Sequence, residues 1–114
     1  MKLVNFEIEV LKLMLAKRGS PDEINNIIST CEATNFEYTG AGYFLELRCD
    51  KLKGLKGTIH EPLVMGKKED LEVGFLLFLE KDTITIECHS WGDKNPPANV
   101  RELDLEINMV KLNS

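Results

Sequence analysis

The chain has 114 residues, of which 43% are apolar and 29% charged. That length suits one domain spanning 1–114, long enough to bury roughly two-thirds of its unfolded surface. Nineteen acids against fourteen bases leave a net charge of −5, and the absence of a basic stripe argues against a nucleic-acid binder. The three cysteines, Cys31, Cys49 and Cys88, are odd in number and widely spaced, which argues against a disulfide framework or a Cys-x-x-Cys zinc site. Charges interrupt the first residues too early for a signal-peptide core. The apolar run Gly74 to Leu79, even with Val73 before it, is too short to span a bilayer. Free thiols and no membrane segment make a reducing cytoplasm the expected compartment.

The first segment carries two patterns. Val4, Phe6, Ile8 and Val10 alternate with Asn5, Glu7 and Glu9 as a half-buried strand would, yet Phe6, Val10, Leu13 and Met14 also share one helical face. Good helix formers from Leu11 to Ala16, and a stop at Arg18-Gly19, favour a helix over about 6–17. Ser20-Pro21-Asp22-Glu23 is a helix start, with a capping hydroxyl, proline in the first turn and acids behind it. Ile24, Ile27, Ile28 and Cys31 then form an i, i+3, i+4, i+7 stripe, which places Cys31 on that helix's buried face.

Strand patterns begin at Phe36. The aromatic-rich stretch 36–47 is interrupted by Gly40-Ala41-Gly42, where a bend or bulge is expected. A basic, Gly-punctuated connection over 51–57 leads to a short strand at Thr58-Ile59 and a break at Glu61-Pro62. Val73 to Leu79 and Thr83 to Glu87 flank the charged turn Glu80-Lys81-Asp82 and predict a hairpin. Asn95-Pro96-Pro97 must be an irregular loop, because neither proline can donate to a ladder. Leu103, Leu105, Ile107 and Met109 alternate with Glu102, Asp104, Glu106 and Asn108, predicting a last strand with one wet face. The order of elements defines an α+β fold: an N-terminal helix pair packed on a twisted, mainly antiparallel sheet.

Three stretches carry a likeness: Tyr38-Thr39-Gly40-Ala41-Gly42-Tyr43-Phe44, Gly74-Phe75-Leu76-Leu77-Phe78-Leu79 and Thr85-Ile86-Glu87-Cys88-His89-Ser90-Trp91. Together they resemble small uncharacterised bacterial α+β proteins with a Thr-Gly-x-Gly-aromatic strand and a Gly-Phe-x-x-Phe hairpin. The motifs are turn and core residues rather than catalytic ones. In size and acidity the chain is also similar to immunity proteins that neutralise bacterial toxin domains.

Catalytic signatures are missing. Gly40-Ala41-Gly42 lacks the third glycine, the Gly-Lys-Ser/Thr ending and the following helix of a phosphate loop. Cys88 and His89 are adjacent, so on a strand they face opposite ways and cannot act as nucleophile and base. Glu87 and His89 share a strand face and could ligate a metal with Asp93 as a third ligand, or form a metal or small-ligand site with His60 from a separate loop, which no spacing rule supports. No cofactor and no enzymatic activity are expected. Glu102, Asp104 and Glu106 place three carboxylates in a row on one strand face, about 6–7 Å apart. A solvated edge explains such a row, and so does an electrostatic face for a cationic partner. The resulting expectation is a non-catalytic protein-binding protein. Its most specific form is an immunity-type inhibitor of a basic toxin domain, binding through Glu87, Trp91, Asp93, Glu102, Asp104 and Glu106.

Overall fold

The computed structural model describes residues 1–110. It opens with helix α1 (Asn5–Met14) and a 3-10 turn (Ala16–Arg18), followed by helix α2 (Pro21–Thr30). Strands β1 (Cys31–Tyr38), β2 (Gly42–Cys49), β3 (Gly57–Ile59), β4 (Leu63–Lys68), β5 (Leu71–Glu80) and β6 (Thr83–Ser90) come next, before a second 3-10 turn (Val100–Glu102) and strand β7 (Glu106–Val110). The strands form one open sheet in the order β1-β2-β6-β5-β4-β7, with β3 pairing β5 beyond the end of β4. Every ladder among the described residues is antiparallel.

The competition in the first segment goes to the helix because only a helix buries Leu11 and Leu15 together with Phe6, Val10 and Met14. Fully covering one such side chain is worth about 1.5–3 kcal/mol. The helix ends three residues before the expected stop, and Gly19 is extended (φ 173°) rather than left-handed. At α2 the expected cap forms in full: the Glu23 amide donates to Ser20 Oγ at 3.2 Å and the Ser20 amide donates to Glu23 Oε1 at 3.0 Å.

Two strand expectations need correction, and strand β4 was not foreseen. The stretch 36–47 is not one bent strand but most of a β1–β2 hairpin, which turns at residues 39–41 and whose first strand starts at Cys31 directly from α2. Strand β4 follows the Glu61-Pro62 break, where a short apolar triplet, Leu63-Val64-Met65, is cut off by Gly66 and two lysines. The last strand begins at Glu106, not at Leu103, because Val100 to Glu102 curl into a turn that buries Val100. The β5–β6 hairpin is as expected, with Glu80 opposite Thr83 across a Lys81-Asp82 turn.

Cys31 and Cys49 face each other across β1 and β2 and are joined by a disulfide, their Cα atoms 4.3 Å apart. This overturns the expectation of free thiols and, with it, the premise for a reducing compartment, since disulfides persist in oxidising surroundings. Only Cys88 is free, and it is buried. Cys31 is the cap residue after α2 and not a member of its apolar stripe. No helix among the described residues is long and apolar enough to cross a membrane.

Both helices and the segment 100–105 lie on one face of the sheet. That face contributes Tyr43, Leu45, Leu47, Val73, Phe75, Leu77, Ile84 and Ile86 to the core. Gly66 on β4 lets Leu105 and Ile107 settle close, since a Cβ there would stand 3.3 and 3.1 Å from their terminal methyls. The molecule measures 38 × 37 × 21 Å. The short dimension is that of one sheet and one helical layer, about 10 Å each.

Candidate functional site

Alternation along each strand dictates what the opposite, uncovered face displays. Phe44 on β2, Glu87 on β6 and Leu76 on β5 stand directly opposite one another, and the next row pairs Thr85 with Phe78. One row the other way, His89 sits between Gly42 and Gly74, with Met65 beyond on β4. No element among the described residues covers them. Phe44 is 37% exposed, and Leu63, Met65, Leu76 and Phe78 are half-buried only by their neighbours.

The charges on this face are one-sided. Register places Glu32, Glu37, Glu46, Glu72, Glu80, Glu87 and Glu106 on it, against Arg48 and Lys67. Residues 1–110 hold nineteen acids and thirteen bases, so the bare sheet face carries five of their surplus of six acids.

Two glycines shape the centre. A Cβ on Gly74 would stand 2.7 Å from His89 Nε2, so the imidazole lies flat across the β5 backbone there. Gly42 is held at φ +154°, and a Cβ on it would stand 1.8 Å from the Cys88 carbonyl oxygen. His89 Nδ1 is buried without a hydrogen-bond partner and lies 3.7 Å from Glu87 Oε2, too far for a hydrogen bond. Among the described residues no donor makes a hydrogen bond to the Glu87 carboxylate, although only 25% of that side chain is exposed.

The six residues singled out in sequence are not all brought together. Glu87 is at the centre of the bare face. Trp91 is 44% exposed and continues the β6 alternation, with its amide donating to the Glu72 carbonyl at 2.9 Å. Glu106 stands at the far edge opposite Lys67. Asp93 follows in an exposed loop. Glu102 and Asp104 instead lie beside Val4, Asn5 and Phe6 at the start of α1, on the helical side of the sheet. The three carboxylates at 102, 104 and 106 thus remain outward-facing but do not share one strand face.

His60 does not join Glu87 and His89. It is exposed in the break between β3 and β4, beside Lys17, Pro62 and Val110. Two strand spacings, about 10 Å, separate that edge from β6. Among the described residues no group of three His, Cys, Asp or Glu stands where it could hold a metal ion.

The sequence reading missed a buried polar cluster on the helical side. Glu7 is fully buried, and its carboxylate accepts from the Tyr43 hydroxyl at 2.6 Å, the Val4 amide at 3.0 Å, and Arg101 Nε and Nη2 at 2.8 Å each. Arg101 also donates to the Lys2 carbonyl at 2.8 Å and lies 5.9 Å from the centre of the Phe36 ring. Burial, reinforced by the Glu7 charge, pushes the Tyr43 phenol far above its usual range, so it stays a donor. Hydrogen bonding to Glu7 raises Arg101. Every lone pair of the carboxylate is used, so the cluster has nothing left to offer a substrate. It ties the N-terminus, α1, β2 and the 3-10 turn at residues 100–102 together. The one available signal was Glu7 falling within the apolar face of α1, at Phe6 and Val10. Cys88 is equally closed off: burial, with the Glu7 and Glu87 charges behind it, pushes its thiol up to about 12.

Compared with protein-family models, curated proteins and solved structures, the chain matches none.

Proposed function

We propose that this chain is a non-catalytic protein-binding domain whose uncovered sheet face docks a basic protein, acting as an inhibitor that occludes a cationic active site. The observation that carries this reading is the coincidence on one face of exposed apolar side chains around Glu87 and most of the acid surplus of the described residues. An apolar centre supplies affinity when water leaves it, and a rim of one sign speeds and selects the encounter. A sheet face serving only as a solvated surface has no need of Phe44, Leu76, Phe78 and Met65 around Glu87 and His89, with Trp91 opposite Glu72 at the end of β6. Immunity-type neutralisation of a bacterial toxin domain is the most specific form of the proposal. The acids at 102 and 104 lie outside the proposed contact.

The test is affinity capture with matched baits. Wild-type protein is compared with Glu46→Lys/Glu72→Lys/Glu87→Lys and with Glu102→Lys/Asp104→Lys. A basic protein retained by the wild type and by the second variant, and lost from the first, is the expected result. Equal retention on all three baits, or loss only from the 102/104 variant, would place the contact elsewhere.

A further inference from the structure

Glu87 differs from the other acids on the bare face. Three-quarters of its side chain is covered, flanked by Phe44 on β2 and Leu76 on β5, yet among the described residues no donor hydrogen-bonds its carboxylate and the His89 ring is its one close polar neighbour. The neighbouring imidazole is at 3.7 Å and makes no hydrogen bond to it. A carboxylate three-quarters removed from water between apolar neighbours, with no hydrogen bond made to it, is an incomplete arrangement, because burying a charge costs most when its hydrogen bonds are not replaced. The other carboxylates of the face are exposed, apart from Glu72, and lie around this centre rather than in it.

We propose that Glu87 is the anchor of this face and receives one arginine side chain of a partner protein. The guanidinium forks onto the carboxylate and its plane lies against the Phe44 ring. The inference rests on the protein-binding reading of the bare face and narrows it to one contact. Arginine fits better than lysine for three reasons. Its planar group presents two parallel N–H donors to a carboxylate, it sheds water more readily than an ammonium, and it stacks on an aromatic ring. Phe44, 37% exposed and directly opposite Glu87, is the ring within reach. The surplus of acids around the site holds a cation there and turns away an anionic group.

The experiment titrates a tri-arginine peptide into the isotope-labelled full chain at 0.15 M salt and follows backbone amide shifts. Tri-lysine and tri-citrulline peptides serve as comparisons. The expected result is saturable shifts centred on Phe44, Leu76 and Glu87, at least threefold weaker binding of tri-lysine and none of tri-citrulline. Glu87→Gln and Phe44→Ala are each expected to weaken tri-arginine binding about tenfold, while Glu80→Gln on the rim changes it less than twofold. Binding to the same face with unchanged affinity in Glu87→Gln overturns the anchor and leaves the protein-binding face standing. Shifts confined to another surface overturn both. No shift at all overturns the arginine anchor, and the matched-bait capture then decides the face independently. An amide spectrum of each variant without peptide, superimposable away from the substitution, establishes that a lost affinity is not a lost fold.

Discussion

Replacing Arg101 with Met removes three charge-assisted hydrogen bonds, Nε and Nη2 to Glu7 and Nη2 to the Lys2 carbonyl, each 2.8 Å, while keeping most of the side chain's apolar length. The Glu7 side chain is completely buried, so its carboxylate would be left with the Tyr43 hydroxyl and the Val4 amide and no counter-charge. Breaking a buried pair by deleting one partner costs about 3–5 kcal/mol. Arg101 keeps 15% of its side chain exposed, which admits some water and points to the lower end, about 3 kcal/mol. For a domain of this size such a loss lowers the melting temperature by about 10–20 °C. Urea and thermal denaturation of Arg101→Met, Glu7→Met and the double variant would measure it. Since removing both charges leaves no orphan ion, the double variant should lose much less than the two single losses combined, with a coupling of about 2 kcal/mol. A single-variant loss below about 1 kcal/mol, or strict additivity, refutes the idea that this cluster fastens the N-terminus and α1 to the sheet.

Three further outcomes are expected. The Cys31–Cys49 bridge spans 18 residues, so Cys31→Ser/Cys49→Ser should cost about 3 kcal/mol by chain entropy. Mass measurement of the untreated protein should show two hydrogens fewer than the fully reduced chain, and a full thiol count would refute the bridge. Gly42→Ala meets a backbone carbonyl and an unfavourable φ, whereas Gly74→Ala meets only the movable His89 ring. Denaturation should therefore rank the first loss well above the second, which stays near about 1 kcal/mol, and the reverse order would contradict the packing. With Cys88 pushed up to about 12 by burial, the unfolded chain gives up its thiol proton first, so stability falls as pH rises past the ordinary thiol value of 9.0. A thiol reagent at pH 8 should label Cys88 only after denaturant is added, and fast labelling of the native protein would show the site to be open.

The parts of the fold that were legible are those written locally. Ser20-Pro21-Asp22-Glu23 encodes its own helix start, and Lys81-Asp82 between two apolar runs encodes a hairpin. What escaped depends on pairing at a distance. Cys31 reads as the fourth member of a helical stripe until β1 and β2 are paired, and only that pairing sets it opposite Cys49. Strand β4 is half glycine and lysine, and it becomes a strand because β5 and β7 hold it on both sides. The candidate site divides the same way. Glu87 and Trp91 are visible in sequence as neighbours on one strand face. Phe44 and Leu76 reach Glu87 only through register, and Glu102 left the acidic row because burying Val100 required a turn.

The same register argument bears on self-association. Two copies meeting through the bare face about a two-fold axis would set seven acids and two bases against an identical set. Arg48 and Lys67 lie toward different edges of the face, so no rotation pairs most of the carboxylates, and like charges brought together oppose association. The apolar centre alone favours such a dimer, and salt relieves the repulsion without removing that centre. The chain should therefore scatter light as a monomer at low ionic strength, with any dimer growing as salt is raised. A complex with a basic partner should respond the other way, weakening as salt screens the attraction. A dimer that is tightest at low salt would mean that the bare face is a seam between copies, with its acids matched by bases from elsewhere on the second molecule. The two salt dependences have opposite sign, so one titration followed by light scattering separates a face built for a cationic partner from one built for itself.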